Sequence, residues 1–304
     1  MTYDARHALF RYGPITMATP PKRHHFIPQM MLRHFADDDG QLWFWRRAFE
    51  KGDVRKAGPQ NLFVEKDLYA QLLPDGAKDM ALEEFFARME AHGAQFIAQI
   101  ADTIRHNQRL KLDAGAWEFW DLFFYYHMKR APSVIGAIAV KMGFDDRIRT
   151  AADEIRAIRA ERGDQQDEPG LEDWVAKNAR VVAQAAKPGP ELQAQLKKMG
   201  LAIYYIADPA KSFVIGDAPG ATAKFRVGNE WSSPTMFLPL TSTIAVGQLA
   251  RLRQVNAIAV DRDQVRRMNV ATAARSTMIA GRSEALIASL SRDVPFAGVV
   301  EPGE

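Results

Sequence analysis

The chain has 304 residues, 47% hydrophobic and 25% charged, the composition of a globular protein able to bury one large core or two modest ones. Forty Lys and Arg stand against 37 Asp and Glu, a formal charge of +3, so no global field points to nucleic acid or an anionic membrane. Cysteine is absent, which excludes disulfides, thiolate nucleophiles and Cys-based zinc sites and leaves His and carboxylates as the strong metal ligands.

The first 25 residues lack the uninterrupted apolar core of a signal peptide. The longest apolar stretch, "APSVIGAIAV", falls well short of the roughly 20 residues a membrane helix needs. The expectation is a cytoplasmic protein without membrane association. Met17 offers an alternative start, and residues 1–19 are expected to form a flexible extension.

In chain order, "KRHHFIPQMMLRHF" places two histidines before Pro28, which suits a first helical turn, with Met31, Leu32 and Phe35 following at helical spacing. The aromatic "QLWFWRR" predicts a strand. From Asp79 to about Asn107, Leu82, Phe85, Phe86, Met89, Phe96, Ile97, Ile100 and Ile104 recur at three and four, the mark of an amphipathic helix. Asp113 can cap the next helix, "AWEFWDLFFYYHMKR", whose aromatic content requires burial and which Pro132 should end or kink. A charged helix follows, "DDRIRTAADEIRAIRAERG", and then the linker candidate "DQQDEPG". Helices are expected around 171–186 and 190–206, separated by "KPGP".

The texture then changes. The runs "SFVIGD", "KFRVGN", "TMFLPLT" and "TIAVGQL" read as antiparallel strands. "RDQVRRMNVATAARS" reads as a helix, "TMIAG" as a strand and "SEALIASLS" as a short helix. Helices first and strands second predict an α+β fold, mainly helical in its N-terminal and middle regions, with a smaller antiparallel sheet in the C-terminal third. The expected organisation is one domain over 20–282, helical to about 206 and sheet-containing from about 210. Residues 283–304 then form a C-terminal helix and tail.

His24 and His25 are the first candidates for chemistry, because imidazole can be a ligand, a general base or a phosphate donor near neutral pH. Neighbouring side chains diverge by about 100° on a helix and point oppositely on a strand, so regular backbone gives the two rings separate roles. One would reach a reacting centre while the other supports it, and the bland alternative is that both brace a loop.

The same run, with "LYA", "LEEFFARME", "MKRAP", "SFVIGDAP" and "FLPLTST", resembles an uncharacterised, mainly bacterial family of the DUF4238 type, whose members begin HHxxPxxxLxxF. The resemblance spans roughly residues 20–280 and brings no settled activity. It marks His24, His25, Glu83, Glu90, Arg130, Asp217 and Asn269. Gly216 and Ala218 stand where that pattern usually has Ser and Asn.

Glu83 and Glu90 share a helix face roughly 10 Å apart, too far to chelate one ion easily. His127 and Arg130, three apart, share a face of the aromatic helix, where a guanidinium must find a carboxylate or phosphate. Asp217 ends an apolar strand before Ala218 and Pro219, a place for an active-site carboxylate or an Asx-type turn. Asn269, a poor helix former inside a basic helix, signals a specific hydrogen bond. Between Arg251 and Arg282, seven Arg face only Asp261 and Asp263. Signatures of nucleotide-binding loops, zincins and α/β-hydrolases are absent from the sequence.

Two functions are expected from these residues. The first is a metal-dependent phosphodiesterase, nuclease-like, in bacterial defence or a toxin system. In it His24 or His25 is the general base, Asp217, Glu90 and His25 hold Mg²⁺ or Mn²⁺, and Arg130 or the Arg251–Arg282 segment holds the phosphate of a nucleic acid or similar ligand. The alternative is a non-catalytic binding or sensing module, with a protein partner, in which the same residues form a structural network.

Overall fold

The computed structural model describes residues 23–163, 170–224, 226–227, 230–231 and 233–293. The expected extension over 1–19, the alternative start at Met17, most of the linker and the tail beyond 293 lie outside the described residues. No helix among the described residues is long and apolar enough to cross a membrane.

The helical middle follows its periodicity. Helix Ala81–Arg105 buries Leu82, Phe86, Met89, Phe96, Ile97 and Ile100 along one face. Gly93 lets it approach the next helix closely, since an added Cβ would stand 2.6 Å from Phe123. That aromatic helix, Ala114–Lys129, starts at Asp113, whose carboxylate accepts the Ala116 N–H at 2.8 Å. Pro132 ends it and opens Pro132–Lys141, after which come Phe144–Glu161, Leu171–Ala185 and Pro190–Lys198.

The expected helix over 190–206 is corrected: it stops at Lys198, and Gly200–Ile206 is a strand. Gly200 has the carbonyls of Arg251 and Gln254 where a side chain would sit, so only glycine admits that turn. The strand lies inside a five-stranded sheet, pairing antiparallel with Ile244–Leu249 and parallel with Val255–Val260. Strands buried on both faces read as continuous apolar runs, and "LAIYYI" carries no period that separates strand from buried helix. Thr235–Pro239 and Ala221–Ala223 complete the sheet on its other side.

The sheet is not confined to the C-terminal third. Leu42–Arg46 and Arg55–Ala57 join Met278–Gly281 and Ile215–Gly216 in a four-stranded antiparallel sheet, uniting the two ends of the chain. A short ribbon pairs Arg23–His25 with Val64–Lys66, placing His24 opposite Glu65 and His25 opposite Val64. One apolar cluster links all three regions, from Ile27 and Phe35 through Phe86 and Phe123 to Ile203, Phe237 and Ala280.

Asn269 makes the specific bond its position implied. From helix Arg262–Arg275 its side chain accepts the Val214 N–H at 3.0 Å and donates to the Ser212 carbonyl at 2.8 Å. It thereby clamps the segment leading into Ile215–Gly216. Three of the seven arginines of the basic segment are answered by carboxylates: Arg253 pairs with Asp121, Arg266 with Asp293 and Arg282 with Asp38.

Candidate functional site

Strand geometry turns His24 and His25 to opposite sides of the ribbon. His24 is 1% exposed, and its Nδ1 accepts the Tyr69 N–H at 2.9 Å, which puts the ring proton on Nε2. Its ring stacks on Tyr69 at 5.4 Å. Glu83 Oε2 stands 4.0 Å from the same Nδ1, a near approach and not a hydrogen bond. His25 is half-buried, and its Nε2–H donates to the Pro59 carbonyl at 3.2 Å. Burial pushes the His25 pKa down, as do the nearby charge of Arg130 and Arg23, against the raising effect of that hydrogen bond.

Arg130 ends the aromatic helix and is 1% exposed. Its Nε donates to Tyr69 Oη at 2.9 Å and its Nη1 to Glu90 Oε1 at 2.9 Å. Nη2 reaches the His25 carbonyl at 2.7 Å and Glu90 Oε1 again at 3.0 Å. The guanidinium also lies 4.3 Å from the Phe86 ring centroid. Tyr69 Oη in turn donates to the His25 carbonyl at 3.3 Å, and burial raises its pKa to about 12. Burial raises the pKa of both Glu83 and Glu90, while Arg130 acts in the opposite direction on each. His127 is fully enclosed: its Nδ1–H donates to the Phe123 carbonyl at 2.8 Å, and burial lowers its pKa to about 3. Nε2 of His127 has no hydrogen-bond partner among the described residues.

Asp217 belongs to a different place. It follows Ile215–Gly216, and its N–H donates to the Met278 carbonyl at 3.0 Å. Its carboxylate takes the Thr277 N–H at 2.8 Å on Oδ1 and the Thr277 hydroxyl on Oδ2, so it bridges neighbouring strand ends and does not form a local Asx turn. Ser276 Oγ fills the space beside Gly216 where a side chain would begin. Asp217 and Thr277 line a cleft of about 480 Å³ together with Arg46, Arg47, Asn61, Phe26 and Phe63. Arg47 is anchored there on the Ser276, Ala273 and Ala274 carbonyls, which terminate helix Arg262–Arg275. Arg46 donates from Nε to the Met278 sulfur at 3.3 Å and has no acidic partner among the described residues. Phe63 holds φ at 55°, a backbone state rare for a bulky residue.

The expected residues therefore fall into two groups. His24, His25, Glu83, Glu90 and Arg130 assemble around Tyr69, with His127 buried one turn before Arg130. Asp217 sits in the cleft and Asn269 in its own clamp. Among the described residues no group of three or more His, Asp or Glu is placed to hold a metal ion. The set of Asp217, Glu90 and His25 anticipated for Mg²⁺ or Mn²⁺ is thus not assembled: each side chain is committed to Thr277, Arg130 or Pro59 respectively. The residues present do not fit that ion.

A contact path still joins the groups. His25 holds the Pro59 carbonyl, Pro59–Asn61 is a 3₁₀ turn, and Asn61 and Phe63 line the cleft that Asp217 and Thr277 also line. Tyr69, Arg46, Asn61, Phe63 and Thr277 did not stand out in the sequence as site residues. Only "LYA" and "WRR" signalled two of them, and a lone Tyr or Arg in such runs has no distinguishing spacing.

Arg130→Ala should cost about 3 kcal/mol in urea unfolding, because it strands the partly buried Glu90 carboxylate and two further acceptors. Arg130→Lys should not restore it, since one ammonium cannot reach Tyr69, Glu90 and the His25 carbonyl together. His127 sets a pH dependence. Its folded pKa, about 3, lies below the ordinary 6.5, so its share of stability is full above pH 6.5 and is lost as pH falls toward 3. The slope is about 1.4 kcal/mol per pH unit inside that window, and unfolding curves of His127→Leu should lack that one-proton dependence.

The profile of the family described as Protein of unknown function (DUF4238) matches residues 23–285, which contain every residue of the network and the cleft. No curated protein and no solved structure matches the chain. The match covers most of the chain, and the protein belongs to the DUF4238 family.

Proposed function

We propose that the protein is a binding module for a phosphate-bearing ligand, which seats in the Asp217 cleft while the Arg130 network serves as the scaffold of one wall. The observation that carries this reading is Arg46. Its guanidinium lines the cleft 5.8 Å from the Phe44 ring centroid, with Nη1 and Nη2 making no hydrogen bond to protein among the described residues, and a guanidinium keeps its charge. A phosphate oxygen pair matches that fork, and Asn61 adds a neutral amide. Asp217 keeps further lone pairs beyond those used by Thr277, enough to accept from a donor elsewhere on the ligand. Phe26 and Phe63, in edge-to-face contact at 5.9 Å, supply an apolar surface for the remainder.

The phosphodiesterase expectation has less support, because its metal donors each hold a separate protein partner and the two histidines face different sides of a ribbon. Calorimetry on the full chain with pyrophosphate and with a 5′-mononucleotide tests the binding reading. Wild type should bind, and Arg46→Ala should weaken binding by about tenfold or more, roughly 1.4 kcal/mol, without loss of fold. Absence of wild-type binding at millimolar ligand, or indifference to Arg46→Ala, overturns it. Hydrolysis of bis(4-nitrophenyl) phosphate with Mn²⁺ is expected to be nil. Turnover that His25→Ala and Asp217→Asn both abolish would reinstate the hydrolase.

A further inference from the structure

The helical side of the molecule carries a second recess that shares no lining residue with the Asp217 cleft. It is a trough of about 460 Å³, within the range of small-molecule sites. Phe85 and Met89 of helix Ala81–Arg105 and Phe119, Leu122 and Tyr126 of the aromatic helix form its floor, and Leu196 stands across from them. At Phe85, Tyr126 and Lys187 the trough meets a narrower recess of about 270 Å³, lined by Leu82 and Val181, with Val182 left 59% exposed at its edge. Adjoining at these residues, the two make a largely apolar channel, whose narrower part also carries Gln71 and Asp79, the latter's carboxylate accepting the Ala81 N–H at 2.8 Å.

Its wall is held in place before any ligand arrives. Tyr126 Oη donates to the Ala185 carbonyl and Tyr125 Oη to the Ala186 carbonyl, each at 3.2 Å, and Lys129 Nζ also donates to Ala186. These bonds fix the chain immediately before Lys187. The rim is cationic: Arg88, Lys187 and Lys197 have no acidic partner among the described residues. Of the two acids lining the larger trough, Asp121 is already paired with Arg253 at 3.0 and 2.8 Å, which leaves Glu118 there against three cations, and Asp79 lines the narrower recess, which Arg88 and Lys197 do not line.

We propose that this channel binds a single-chain aliphatic anion, with the chain along Phe85 toward Leu82 and Val181 and the anionic head among Arg88, Lys187 and Lys197. Length and apolarity select the chain, and the unpaired cations select the head. A globular apolar ligand would leave the narrow recess unfilled, and a neutral amphiphile would leave the rim charges unanswered.

Decanoate below its micellar concentration, titrated into the full chain by calorimetry, is the probe. Saturable binding with one ligand per chain is expected, with decanol weaker by about tenfold or more. The double variant Lys187→Ala/Lys197→Ala should weaken decanoate by a similar factor and leave decanol unchanged, and Leu122→Trp should block both. Arg46→Ala should have no effect, which separates this site from the Asp217 cleft. Equal affinity for decanoate and decanol, indifference to the lysine variants, or binding only to anionic phospholipid vesicles without a one-to-one complex overturns the proposal. The exposed lysine changes keep the test decisive if Leu122→Trp fails to fold.

Discussion

A guanidinium that is 1% exposed and cannot lose its proton must be satisfied by its surroundings, and Arg130 organises this molecule around that requirement. Its donors draw together four parts of the chain: Glu90 from the long helix, Tyr69 and the His25 carbonyl from the ribbon region, and its own helix end. Removing water from such a charge is costly, so each acceptor must be in place as the fold forms. The arrangement confers uniqueness on the packing of ribbon against helices. Because His25 then holds the Pro59 carbonyl, the network also determines where Asn61 and Phe63 stand in the cleft.

The same bonds limit what the histidines can do. His24 accepts a backbone N–H and stacks on Tyr69, and His127 faces its own helix carbonyl inside the core. A general base needs a free lone pair within reach of a substrate, and a metal ligand needs companions at the same point. The lone pair of His24 Nδ1 is taken by the Tyr69 N–H and that of His127 Nε2 is enclosed in the core; His25 keeps a lone pair on Nδ1, but among the described residues no group of three possible ligands stands around any of these rings. By contrast, Arg46 and Asp217 present opposite charges in an open cleft on the sheet that joins the two ends of the chain. The proposed ligand would therefore seat at that seam, with the polar core behind it supplying rigidity.

Much of the fold was legible because its helices are amphipathic or capped. The three-and-four spacing from Leu82 to Ile104 and the cap at Asp113 located two helices within a few residues. Gly200–Ile206 was not legible, since a strand covered on both faces carries no alternation and follows a helix after only Met199. Pairing of Leu42–Arg46 with Met278–Gly281 was also hidden, because register between segments more than 200 residues apart leaves no local mark. At the site, burial of Arg130 and its need for a carboxylate followed from an aromatic helix, and Asn269 declared itself by its poor fit to a helix. Separation of Asp217 from the Glu90 network depends on sheet topology, which no spacing encodes. Arg46 escaped notice because its significance is that it shares a cleft with Asp217 yet forms no ion pair among the described residues, which only the structure reveals.

The central claim, that His24 and His25 belong to a scaffold and not to a metal-bound reaction centre, is tested most directly by nitrogen-15 NMR of the imidazoles with Mn²⁺ added. The account predicts that both rings carry their proton on Nε2 at neutral pH and that substoichiometric Mn²⁺ leaves their resonances sharp. Selective broadening of both rings by Mn²⁺, relieved by Asp217→Asn, would contradict it and restore a metal centre between the ribbon and the cleft.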